Sequence, residues 1–125
     1  MASRWDRDAS AKGPVVQGFS GGGFKVDGGL YMALLLTPLR ADGWEAPPLA
    51  ELGLDHLAPL LALDPQPEFL IIGTGPKMAF PPRALTKALE ERGIGIEAMD
   101  SRAAARAWGM LRSEERWIAA ALMPL

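Results

Sequence analysis

The chain has 125 residues, a net charge of −2, 49% hydrophobic and 22% charged residues, and no cysteine. That length fits one domain with a modest core, and the balance is that of a chain that folds. The missing cysteine excludes disulfides, thiol catalysis and cysteine-ligated metals, and the sequence shows no clustered Lys and Arg excess that would engage a nucleic-acid backbone.

Residues 1–12 mix charged and small side chains without period and predict a mobile tail, leaving 13–125 as the single folded domain. No apolar stretch follows the charged start, so a secretory signal is not expected. The longest apolar run, 30–36, is too short to span a bilayer. A cytoplasmic protein without direct membrane insertion is the expectation.

Residues 15–20 have strand composition, broken by Gly21, Gly22 and Gly23. Phe24, Lys25 and Val26 alternate, and Asp27-Gly28 signals a hairpin. Residues 30–36, "LYMALLL", read as a strand buried on both faces or a central one, stopped by Pro38. Residues 39–53 carry Asp42-Gly43 and Pro47-Pro48 and read as a loop. Asp55 can cap a short helix with Leu57, Leu60 and Leu61 on one face, and Pro59 is tolerable there only in the first turn.

Residues 69–72 form a continuous apolar run between Pro67 and Gly73, which predicts a buried strand. A helix follows from about Pro82, with Leu85, Ala88 and Leu89 inward and Gly93 closing it. Ile94, Ile96 and Ala98 alternate as the next strand, and residues 94–99 are expected to be buried. Asp100-Ser101 then opens a helix with Ala103, Ala104, Ala107, Trp108 and Leu111 inward. Residues 117–123 supply a last strand. The sum is a single three-layer α/β domain: a mixed sheet with a C-terminal βαβαβ core and N-terminal hairpin strands.

The run 69–82, "FLIIGTGPKMAFPP", raises a question of chemistry, because glycine loops after strands often cradle phosphates. Gly73 and Gly75 fit the first two positions of a dinucleotide fingerprint, but Met78 stands where the third glycine belongs. Pro76 removes one amide donor, and Pro81 and Pro82 delay the helix. A tight strand exit is the better reading, and no cofactor is expected. His56 is the sole histidine, without metal-ligand or triad spacing, and no catalytic residue or metal ligand is assigned. Loops after parallel strands nevertheless converge on one sheet edge, where ligands tend to bind. Gly73, Thr74, Gly75, Lys77, Asp100, Ser101 and Arg102 are the candidate lining of a small pocket there. Trp44, in a polar Pro-rich loop without a core pattern, is a candidate interface residue.

"FLIIGTG" followed by "GIGIEAMDSRAAARAWGMLRSEERWIAAALMP" resembles a small α/β family. It includes the mitochondrial NADH:ubiquinone oxidoreductase (complex I) assembly factor 3 and bacterial relatives. The similarity spans about residues 15–124. Gly73, Thr74 and Gly75 match a Gly-Thr-Gly strand exit; Met99, Ala103, Ala104 and Arg106 match a helix motif; Glu114, Arg116, Ala120, Ala121, Leu122 and Pro124 match the closing motif. Ala107, Trp108 and Gly109 depart from the commoner Thr-Tyr-Asn, and Glu115 replaces a glycine before Arg116. The resemblance implies a three-layer α/β fold. It implies Arg106, Glu114 and Arg116 as motif residues, and a non-enzymatic role in assembly of a respiratory membrane complex through protein partners. A small-ligand-binding protein or weak enzyme at the Gly73-Thr74-Gly75 edge is the second reading, and a structural homo-oligomeric domain the third.

Overall fold

A computed structural model describes residues 13–125; the expected tail, 1–12, lies outside the described residues. Strands β1 (Gly18–Ser20), β2 (Gly23–Val26) and β3 (Gly29–Tyr31) form a small antiparallel sheet. The β2–β3 turn is the predicted Asp27-Gly28, with both residues at positive φ. Strands β4 (Leu34–Leu36), β5 (Ala41–Gly43), β6 (Phe69–Gly73), β7 (Gly95–Met99) and β8 (Ala119–Leu122) form the main sheet in the order β5-β4-β8-β6-β7. β6 runs parallel to both β7 and β8, while β4 is antiparallel to β8 and to β5. Helix α1 (Ala58–Leu61) follows two short 3-10 turns, Leu49–Glu51 and Leu54–Leu57. Helix α2 (Arg83–Glu91) links β6 to β7, and α3 (Ser101–Ser113) links β7 to β8.

The main sheet buries both faces by simple alternation. Leu34, Leu36, Ile71, Ala120 and Leu122 share one core with Phe24, Val26 and Trp108. Leu35, Leu70, Ile72, Ala119 and Ala121 share the other with Leu57, Leu60, Leu85 and Leu89. One layer is therefore α3 with the small sheet, the middle layer is the main sheet, and the third is α1 and α2. This is the mixed three-layer α/β fold expected, with the predicted strands 69–73, 94–99 and 117–122 adjacent in it.

Four expectations are corrected. The run 30–36 is not one strand: it splits into β3 and β4, which belong to different sheets. Its first part, to Tyr31, pairs with β2 in the small sheet and its last part enters the main one between β5 and β8, and an apolar run without period cannot show that division. Residues 39–53 are not all loop, since 41–43 pair with β4 as an edge strand. β7 is an edge strand with Gly95 and Glu97 exposed rather than a buried one. On α3, Ala105 is buried where Ala103 was expected to be, so the inward face is rotated slightly.

Both long helices end in the same way. In α2, the Ile94 amide donates to the Leu89 carbonyl and the Gly93 amide to that of Glu90, with Gly93 at φ 77°. In α3, the Arg116 amide donates to Leu111 and the Glu115 amide to Arg112, with Glu115 at φ 60°. These paired bonds are the left-handed helix stop that favours glycine. The turn is retained at Glu115 although a Cβ stands there, at a cost of about 1 kcal/mol.

Candidate functional site

The carboxyl end of β6 is the point where the winding of the sheet reverses. β7 lies on one side of β6 and β8 on the other, and their connecting helices cover opposite faces. In open α/β sheets a crevice at that point takes ligands. Here Gly73, Thr74 and Gly75 occupy it, beside Asp100 and Ser101 at the start of α3.

Hydrogen bonds close the place from within. The Thr74 amide donates to the Met99 carbonyl at 2.8 Å, the Gly75 amide to Ser101 Oγ at 2.9 Å, and the Ser101 amide to the Gly75 carbonyl at 2.8 Å. Ser101 Oγ, fully buried, donates in turn to the Met123 carbonyl at 2.7 Å, and the Met123 amide reaches the Gly73 carbonyl at 2.9 Å. Thr74 Oγ1 lies 2.6 Å from the Lys77 carbonyl and accepts from the Ala79 amide at 3.1 Å. One hydroxyl on each side thus ties together the exits of β6 and β8, the start of α3 and the following loop. The space is filled as well. A Cβ at Gly73 would come within 2.9 Å of Leu122 Cδ2 and Ser101 Oγ, so close approach requires glycine. Gly75 has φ 108°, which glycine alone adopts without strain.

The remaining candidate positions spread outward. Asp100 Oδ1 accepts from the Ala103 amide at 2.9 Å and caps α3, where an anion would otherwise sit. Arg102 places its guanidinium 4.7 Å from the Phe19 ring centroid and joins α3 to the small sheet. Lys77 is exposed in the loop beyond Gly75. Arg106 is exposed on α3, and Glu114 is exposed at its C-terminal cap. Arg116 donates to Glu68 Oε1 at 2.8 Å and lies over the Phe69 ring, at the opposite end of β6 from the glycines. The Arg116 guanidinium holds the Glu68 carboxyl below its usual range, and the pair is solvent-exposed. Arg112 is buried, donates to the Arg116 carbonyl, and burial pushes its pKa down. Gly73, Thr74, Gly75 and Ser101 therefore meet at one end of β6, while Arg116 lies at the other.

Trp44 is half-buried: its indole packs on the α1–α2 core and donates to the Leu122 carbonyl at 3.2 Å. Trp117 is likewise anchored, to the Pro65 carbonyl at 2.6 Å, and Trp108 to that of Pro14 at 2.8 Å. His56 Nδ1 accepts from the Gly53 amide at 3.0 Å and caps the start of the 3-10 turn Leu54–Leu57. Among the described residues no group of three or more His, Asp or Glu gathers as a metal site, and no helix is long and apolar enough to cross a membrane.

The sequence reading passed over Phe80. It is 83% exposed, on the loop that leaves the glycines, and borders a groove along α2. An aromatic residue between Ala79 and Pro81, outside any apolar period, was the available signal.

Comparison with known proteins follows the fold. An uncharacterized protein of Rhodobacter capsulatus is 36% identical over 111 residues, covering 88% of this chain and 84% of its own length. NADH dehydrogenase [ubiquinone] 1 alpha subcomplex assembly factor 3 of Danio rerio is 30% identical over 119 residues, covering 94% of this chain and 68% of that protein. The crystal structure of a Bordetella parapertussis protein superimposes with a TM-score of 0.80 at 28% identity, over 90% of this chain and 96% of that one. The pattern of the family described as "Protein of unknown function (DUF498/DUF598)" matches residues 16–123, and the chain belongs to that family.

Proposed function

We propose that the protein is a non-enzymatic interaction module, cytoplasmic in location, that serves assembly of a multisubunit membrane complex through protein partners. A respiratory NADH dehydrogenase is the specific client. The observation that carries the non-enzymatic half is the switch point of the sheet. There the amides of Thr74, Gly75 and Ser101 and the hydroxyls of Thr74 and Ser101 are spent inside the chain. A phosphate or an oxyanion needs such donors convergent and free. The relatives named as complex I assembly factors support the other half.

The reading is tested in the native cell by deleting the gene and following the client on native gels. The expected result is less assembled NADH dehydrogenase with accumulated subassemblies, restored by the wild-type chain. Normal assembly in the deletion strain would overturn the reading.

A further inference from the structure

Beyond Gly75 the loop changes character. Phe80 is 83% exposed and Met78 48% exposed, although both are large apolar side chains. The loop that carries them is braced at its base, because Thr74 Oγ1 meets both the Lys77 carbonyl and the Ala79 amide. Pro81 is buried and Pro82 stands at the helix N-cap, so the chain on the far side of Phe80 is also fixed. An aromatic residue whose flanking backbone is held this way loses less conformational freedom on binding than one on a free loop.

A solvent-open groove of about 950 Å3 runs from Phe80 along the outer side of α2, lined by Pro81, Arg83, Ala84, Thr86, Lys87 and Glu90. Within its lining Arg83 and Lys87 set two cations against the single carboxylate of Glu90. The whole chain carries a net charge of −2, so the sign of this surface opposes that of the molecule. Charge of one sign around an apolar centre selects partners of the other sign and steers their approach.

We propose that the Phe80 groove on α2 is a docking site for an acidic segment of a partner protein. One apolar side chain of that segment seats against Phe80, and its carboxylates meet Arg83 and Lys87. The inference rests on the reading of the protein as an interaction module and adds the surface and the partner's chemistry. An anionic membrane fits poorly, because such surfaces are held by larger clusters of Lys and Arg than this pair.

The test selects random displayed peptides on the full-length protein. The enriched sequences are then titrated as synthetic peptides by fluorescence anisotropy. The expected consensus joins Asp or Glu to one Phe, Leu or Trp. Phe80→Ser should weaken binding about tenfold or more, the scale of an interface anchor. Arg83→Glu with Lys87→Glu should abolish it and should bind the same peptide with Lys in place of its acids. Lys25→Glu, exposed on β2 of the small sheet, should change nothing, and each variant's melting curve confirms that it folds. Several results would overturn the proposal. They are peptides without acidic residues, equal binding by the Phe80 and charge-reversed variants, and flotation with phosphatidylglycerol vesicles but not phosphatidylcholine vesicles. A dimer in sedimentation that Phe80→Ser dissolves would overturn it too. Cross-links from a native client to another face would sink this surface while leaving the interaction reading intact. Normal assembly in the deletion strain would sink the interaction reading itself.

Discussion

Residues 73–75 and residues 76–82 belong to one connection between β6 and α2, yet they meet water in opposite ways. In the first half, Gly73, Thr74 and Gly75 are buried, and the Thr74 and Gly75 amides, the Gly73 and Gly75 carbonyls and the Thr74 hydroxyl are engaged within the chain. In the second, Pro76, Lys77, Met78 and Phe80 are exposed. Glycine serves the first half by allowing close approach and positive φ, and the result is a closure. The second half is a short platform standing on that closure. A glycine-rich loop at a switch point is thus no sign of a ligand site until its donors have been followed to their partners. The comparison predicts that changes in the first half act on stability and changes in the second act on binding.

The largest effect is expected at Ser101. Ser101→Ala removes the acceptor of the buried Gly75 amide and the donor to the Met123 carbonyl. Each buried group left without a partner costs roughly 1–3 kcal/mol, so urea unfolding should show a loss of at least that size. A loss near zero would mean that water enters the closure, and the two halves of the loop would no longer differ in kind.

Gly75→Ala comes next. The nearest atom to an added Cβ is the Pro124 carbonyl oxygen at 3.5 Å, an ordinary contact, so the strain is in the backbone at φ 108°. The expected cost is about 1 kcal/mol or somewhat more. Thermal melts read it. An unchanged melting temperature would show that the turn relaxes without penalty.

Phe80→Ser should leave stability within about 0.5 kcal/mol, as for exposed positions outside the core. The same melts should therefore separate it from Gly75→Ala, and a marked fall would place Phe80 in the packing rather than on the platform.

The smallest expected effect lies at the other end of β6. The Glu68 carboxyl is held below its usual range chiefly by its hydrogen bond from Arg116. A depressed carboxylate stabilises the fold above its unfolded pKa, and the contribution is lost as pH falls through the folded one. The pair is exposed and salt weakens it. Wild type and Glu68→Gln should differ slightly in melting temperature at neutral pH. The gap should close below the ordinary glutamate range and at high salt. A gap that persists in acid would show that the effect does not come from the charge pair.

Where local chemistry decides the structure, the sequence was legible. Asp27-Gly28 makes the hairpin, Gly93 stops α2, Asp100 caps α3, and three apolar stretches become neighbouring strands. Where distant partners decide, it was not. The division of 30–36 between two sheets follows from what lies above and below it, not from a break in its own pattern. Strand β5 exists because β4 offers an edge, and Trp44 joins the core by reaching a carbonyl 78 residues away. The same holds for the site. The sequence pointed to the Gly-Thr-Gly edge, but whether its donors are free depends on Ser101 and Met123, which approach only in the folded chain.

Amide hydrogen exchange on the native protein tests that point most directly. Slow exchange marks hydrogen-bonded, protected amides, and it reports each half of the loop separately. The account predicts that Thr74, Gly75, Ser101 and Met123 exchange as slowly as the central strands, while Lys77, Met78 and Phe80 exchange fast. It also predicts that adding NAD or ATP leaves the first group unchanged. Fast exchange at Gly75 and Ser101 that slows when a nucleotide is added would contradict it, because those donors would then be open to a ligand.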